Sequence, residues 1–174
     1  MKIKLWMALF AAVILMGGCN NKVEEKPVVK VEEGKIAPAI EVGQPFQPAP
    51  FKDQFGNEGR VTEDTQTVIM VFAKSTGHLV KEFIEQQPDT YLKEHHAIFV
   101  ADVSKMPSLI FKYAALPDLQ KHNYPIYLIL DEEVAQNFKN EKYSDYVMVI
   151  DLDHGTVQAV TFVTTEKALE EAIN

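Results

Sequence analysis

Three near-continuous apolar runs constrain this chain more than any other feature: residues 67–73 (TVIMVFA), 97–103 (AIFVADV) and 126–130 (IYLIL). Each has strand length and lacks the alternation of a half-solvated strand, so each is expected to be buried on both faces of a sheet. Helical spacing fills the gaps between them. Residues 78–95 carry Leu79, Phe83, Ile84 and Leu92, with Pro88 interrupting. Residues 107–121 open on Pro107, suited to a first helical turn, and break or restart near Pro117. Residues 46–61 hold prolines and then the turn Phe55-Gly56-Asn57-Glu58, a hairpin signal. A second hairpin is expected where 147–151 and 156–163 flank Leu152-Asp153-His154-Gly155. Thr164 or Thr165 with Glu166 then opens a closing helix. This order predicts an α/β sandwich with a central mixed β-sheet flanked by helices. Right-handed crossovers are expected to place the two internal helices on opposite sides or in staggered layers.

Ahead of this body lies a basic start (Lys2, Lys4), an apolar run over 5–16, the pair Gly17-Gly18, and Cys19. That is the order of a secretory signal peptide, and the run is short of the ~20 apolar residues that span a bilayer. A cysteine after two small residues resembles the lipobox of bacterial lipoproteins, although Met16 stands where leucine is usual. The resemblance implies fatty acylation of Cys19 and loss of residues 1–18. An ordinary signal peptide with a chance cysteine is the plainer alternative. Two or more acyl chains make such anchoring stable. Residues 20–39 are charged, with two prolines and a glycine, and read as a spacer. The expected organisation is a signal peptide over 1–18, a lipidated cysteine and flexible tether over 19–39, and one domain over 40–174. A paired strand near Val28–Val31 is a minor alternative within the spacer.

Composition narrows the function. Of 17 basic residues Lys2 and Lys4 are lost with the leader, leaving 15 against 25 acidic ones, a balance of −10 in the mature chain. That sum argues against nucleic acid and against electrostatic docking on anionic headgroups. With Cys19 the only cysteine, no disulfide can staple the domain, so it must stand on its apolar core.

Several segments resemble the thioredoxin fold in its AhpC/TSA and TlpA-like branch. Val42-Gly43-Gln44-Pro45-Phe46 resembles the opening of that family, and Phe51 to Asn57 its first hairpin. Val71-Phe72-Ala73-Lys74-Ser75 resembles the strand that leads into its redox motif, and residues 147–157 its "T-F-L-I-D-x-D-G-x-I" hairpin. On that alignment Thr76-Gly77-His78-Leu79 stands where the family has Cys-x-x-Cys, and Asp145 where it has a cis-proline. A thiol-disulfide enzyme needs a low-pKa thiolate and a resolving thiol, so neither oxidoreductase nor peroxidase activity is expected. Residues 124–131 followed by 147–157 also resemble YtfJ-type periplasmic proteins, which lack the redox cysteines too. In that register Pro125 takes the place of the groove proline.

Ser75, Thr76, Gly77 and His78, with Asp145, therefore form the candidate groove for a peptide or small ligand. At the start of a helix, Ser75 or Thr76 serves most simply as a cap; an anion or peptide nook and a hydrolytic pair of Ser75 or Thr76 with His78 are the sharper alternatives. No metal site or cofactor is expected. His95 and His96 are adjacent and point apart, while His122 and His154 stand in loops without a cysteine partner. Residues 151–155 suit a hairpin turn better than a calcium loop, since position 162 of a full loop is Phe162 rather than glutamate. Asp131-Glu132-Glu133 and residues 141–145 read as a solvated face or loop. Phe111, Tyr113, Tyr124 and Tyr127 read as core and rim packing. The function expected is that of a membrane-anchored envelope lipoprotein acting as a redox-inactive binding or accessory module. Its partners would be the membrane, through Cys19, and an envelope protein or peptide. Asn20 after Cys19 implies outer-membrane residence facing the periplasm if the source is Gram-negative. A thiol-independent enzyme near Thr76/His78 and a purely structural envelope protein are the alternatives.

Overall fold

A computed structural model describes residues 27–174. The signal segment, Cys19 and residues 20–26 of the spacer lie outside them. The strands are β1 (Val29–Val31), β2 (Lys35–Ala37), β3 (Ile40–Glu41), β4 (Phe51–Asp53), β5 (Glu58–Gly59), β6 (Thr67–Val71), β7 (Ala97–Asp102), β8 (Tyr127–Ile129), β9 (Val147–Asp153) and β10 (Thr156–Val163). The α-helices are α1 (Lys74–Glu85), α2 (Tyr91–Glu94), α3 (Ser108–Ile110), α4 (Leu116–Leu119), α5 (Glu132–Phe138) and α6 (Glu166–Ile173). Eight strands make one mixed sheet in the order β1-β10-β9-β6-β7-β8-β4-β5, while β2 and β3 pair apart from it. The expected α/β sandwich with a central mixed sheet and flanking helices is what forms.

The apolar runs become the middle of the sheet. Every residue of β6 is buried, and it lies parallel to β7 and antiparallel to β9. β8 continues the parallel set beyond β7. The carboxyl ends of β6, β7 and β8 therefore share one edge of the sheet, here the carboxyl edge. Because β9 and β1 run the other way, they begin at that edge, and β10 ends there. Both expected hairpins form. His154 (φ 46°) and Gly155 (φ 76°) supply the two left-handed residues that a two-residue turn of the right twist needs, so 151–155 is a hairpin turn.

Both internal helical segments lie on the same face, not on opposite ones. Val80, Phe83 and Ile84 of α1, with Phe111, Leu116 and Leu119 beside α4 and Leu169 of α6, pack on Ile69, Val71, Phe99 and Val149. The reason is strand order. The chain steps from β6 to β7 to β8 in one direction, and right-handed crossovers in one direction deliver their helices to one face. Pro107 stands just ahead of α3, and Pro117 lies inside the second segment. A proline ring there would meet the carbonyl four residues back. The preceding turn opens to π geometry over Phe111–Ala115, with the Leu116 N–H donating to Phe111 O.

The minor alternative near Val28–Val31, a paired strand, forms at the edge of the sheet, and β2, β3 and α5 pack on the other face. Residues 29–41 belong to the domain rather than to the tether: Val29, Lys30 and Val31 pair with Phe162, Thr161 and Val160, and Ile36, Ala37 and Ile40 are buried. Burial of those aliphatics outweighs the charges around them. The acidic run at 131–133 is the start of α5, not a loop. The Asp131 carboxylate accepts from the Glu133 and Val134 N–H groups at 2.8 and 3.2 Å, which caps the helix. Glu132 and Glu133 in the first turn add favourable charge at its amino end. Residues 141–143 form a 3-10 turn, with Asn140 Oδ1 accepting from Lys142 N–H.

Candidate functional site

The chain leaves β6 at Val71 and enters α1 through Ala73, which is extended (φ −136°, ψ 152°) and provides no side-chain cap. Neither Ser75 nor Thr76 caps the helix either. Both sit inside the first turn, and the Thr76 hydroxyl donates to the Ala73 carbonyl at 2.8 Å, an oxygen that also accepts the Gly77 N–H at 3.0 Å. Thr76 is buried, whereas Ser75 is exposed and His78 lies toward the surface. Residues two apart on a helix do not face each other, so Thr76 and His78 are not brought together as nucleophile and base. A Cβ at Gly77 would touch only Val71 Cγ2 at 3.9 Å, so the glycine is not demanded by space.

Strand order decides between the two registers for the groove residue opposite this turn. β6 and β9 pair from Thr67↔Asp151 to Met70↔Met148. β9 begins at Val147 at the carboxyl edge, where α1 also begins, and the exposed Asp145 lies in the turn two residues before it. Pro125 instead precedes β8, which runs parallel to β6 through β7, so it stands at the opposite edge. Pro125 cannot share a groove with Thr76. It is held by Gln54, a buried side chain that sequence reasoning missed. The Gln54 amide donates to Tyr124 O and accepts from Ile126 N–H, each at 2.8 Å, gripping the backbone on both sides of the proline. Gln120 donates in turn to the Gln54 carbonyl at 2.9 Å.

A second arrangement of charged groups was also invisible in the chain order. A cleft of about 570 Å³ at the amino edge is lined by Lys81 and Glu85 of α1 and by Asp118, Lys121, His122 and Tyr124. Asp118 takes Lys81 at 3.2 Å and Lys121 at 3.1 Å, and His122 Nδ1 lies 3.1 Å from Glu85 Oε1. The only hint in the sequence is that Lys81/Glu85 and Asp118/His122 each repeat at four residues. The Tyr124 hydroxyl is buried with no hydrogen-bond partner among the described residues, and burial, then Glu85, raises its pKa. No group of three metal-ligating side chains occurs among the described residues. His95 packs on Tyr91 at 4.2 Å between ring centroids. Tyr124 and Tyr127 are packing residues as expected, but Tyr113 is 70% exposed.

His122 gives the cleft a pH signature. Burial and Lys81 hold its imidazole below the ordinary 6.5, outweighing the opposite pull of Glu85 and Asp118, with Lys121 adding to the lowering. The unfolded chain therefore takes up this proton first. Stability is expected to fall as pH drops from about 6.5 through the lower folded value, and His122→Asn to flatten that part of the curve. Urea denaturation at closely spaced pH values between neutral and mildly acid measures it. An unchanged slope in the variant would assign the effect elsewhere.

No family model and no curated protein sequence matches the chain. Solved structures do. The thioredoxin domain of a thiol-disulfide oxidoreductase from Bacteroides vulgatus is 13% identical, covers 78% of this chain and 99% of its own, and superposes with a TM-score of 0.50. A DsbF homologue from Corynebacterium diphtheriae is 15% identical, with 87% and 94% covered and a TM-score of 0.50. At such identities the likeness is one of architecture. The domain has a thioredoxin-like fold.

Proposed function

We propose that this chain is a lipid-anchored envelope protein whose thioredoxin-like domain works by binding, not by thiol chemistry. One observation carries the proposal: the turn that opens α1 holds Ser75-Thr76-Gly77-His78, and no cysteine occurs anywhere in residues 27–174. The hydroxyl aligned with the family's first cysteine, that of Thr76, is buried and committed to the Ala73 carbonyl. Ser75, Gly77, His78 and Asp145 surround that turn at the carboxyl edge and offer contact rather than catalysis. Cys19 is then an attachment point, with the outer membrane facing the periplasm as the residence in a Gram-negative cell. An envelope protein or peptide is the partner class that fits an anionic, anchored domain.

The test uses the full chain purified from bacterial membranes, with the mass of Cys19 read first. Acylated protein is expected in the membrane fraction and Cys19→Ser protein outside it. Both should leave disulfide reduction and peroxide consumption at the rate of buffer. Turnover of either substrate by the Cys19→Ser protein would sink the thiol-free reading.

A further inference from the structure

Among the described residues, large apolar side chains are exposed at seven positions, and six of them gather at or beside one edge of the sheet. Val28 immediately precedes β1, which begins at the carboxyl edge. Leu109 and Ile110 follow β7, Leu130 follows β8, and Val134 lies in the first turn of α5 beyond it. Tyr113 joins them by helix register. Asp118 meets Lys81 and His122 meets Glu85, an offset of 37 residues both times (118 less 81, and 122 less 85), so the two crossovers run parallel. Tyr113 lies in the same helical stretch as Ile110, three residues after it. Phe55, the seventh, is in the β4–β5 turn at the opposite edge. From β1 to β8 the apolar edge is five strand spacings wide, about 24 Å.

The tether leaves from this edge. Cys19 is ten residues before Val29, a reach of at most about 36 Å, roughly the diameter of a domain of this length. An acylated Cys19 therefore keeps the apolar edge within one domain diameter of the lipid. The edge is amphipathic, with exposed Lys74, Lys112, Asp131, Glu132, Glu133 and Asp145 beside its apolar side chains. Leu109 and Ile110 supply apolar bulk, and Tyr113 is amphipathic, with Lys112 Nζ 5.4 Å from its ring centre. Lys105 is paired with Glu132 at 3.4 Å, so the edge carries no surplus of cations.

We propose that the carboxyl edge rests on the lipid surface, with Leu109, Ile110 and Tyr113 entering the headgroup region. This inference rests on the lipid-anchor reading. It makes the contact one of apolar side chains and therefore insensitive to salt.

The only tryptophan, Trp6, lies in the segment removed on processing, so a single introduced tryptophan reports alone. The full acylated chain carrying Tyr113→Trp would be placed in phosphatidylcholine vesicles with brominated acyl chains. Its emission is expected to shift blue and be quenched at low and high salt alike, while Phe55→Trp stays unquenched. Adding Leu109→Asp and Ile110→Asp should abolish the quenching and leave the protein on the vesicles. Unquenched emission from acylated, vesicle-bound Tyr113→Trp protein overturns the inference and leaves the anchor reading intact. Equal quenching of the Tyr113→Trp and Phe55→Trp proteins overturns it as well. Absence of an acyl mass at Cys19 together with no vesicle binding removes the anchor, and the inference with it.

Discussion

Gln54→Leu is expected to lower stability by about 2–6 kcal/mol. The amide satisfies two buried backbone groups at once, Tyr124 O and Ile126 N–H, both at 2.8 Å. Leucine matches its bulk and satisfies neither. A buried backbone group left without a partner costs about 1–3 kcal/mol, and here two are orphaned together. For a domain of this size that corresponds to a fall in Tm of roughly 10 °C. Pro125 cannot help, since it has no N–H to offer in exchange. Paired thermal and urea melts of the wild-type and variant chains measure the loss. A change of about 0.5 kcal/mol or less, within the range of ordinary surface substitutions, would show that the strand entrance is held by something else.

Phe138→Ala is expected to cost about 3–5 kcal/mol, the usual range for truncating a buried aromatic ring. Phe138 ends α5 and meets Phe46 and Phe51 edge-on, with ring centroids 6.0 and 5.9 Å away. The three rings line an apolar cleft of about 590 Å³ beside the proline-rich segment 45–50. Removing one of them enlarges that space and loosens the attachment of α5 to the sheet. Phe138→Leu should recover most of the loss, leaving about 1 kcal/mol, because it keeps most of the volume. Urea denaturation of both variants gives the comparison. An alanine variant no worse than the leucine one would mean that α5 contributes little to the fold.

Much of the architecture was legible because it is local. β6 shows itself as five buried residues in a row, and Asp53, Gly56 and Asn57 mark the first turn. There the Asp53 carboxylate accepts the Phe55 and Asn57 N–H groups, both at 2.8 Å. Asp131 is a different case. Its capping signature was present in the chain, but a run of three acids masks a helix whose buried residues are only Ala135 and Phe138. β1 was fainter still. A three-residue strand with one lysine among charged neighbours carries almost no period, and its partner, β10, lies at the far end of the chain.

The candidate site divides along the same line. Replacement of the thiols by Thr76-Gly77-His78-Leu79 needed only the sequence. Whether Thr76 could act did not follow from it, because that depends on the Ala73 carbonyl claiming the hydroxyl. Glu85 and His122 meet only because two crossover helices run side by side.

By itself the sequence determined the central strands and the two hairpins, and that its single thiol stands at Cys19, outside the described residues. These are matters of hydrophobic period, turn chemistry and composition, each settled by near neighbours. Tertiary structure alone decided that Pro125 stands away from the start of α1, and that Val28, Leu109 and Leu130 come to one edge. Strand order, pairing direction and crossover hand arise from burying distant segments together, and no local pattern records them.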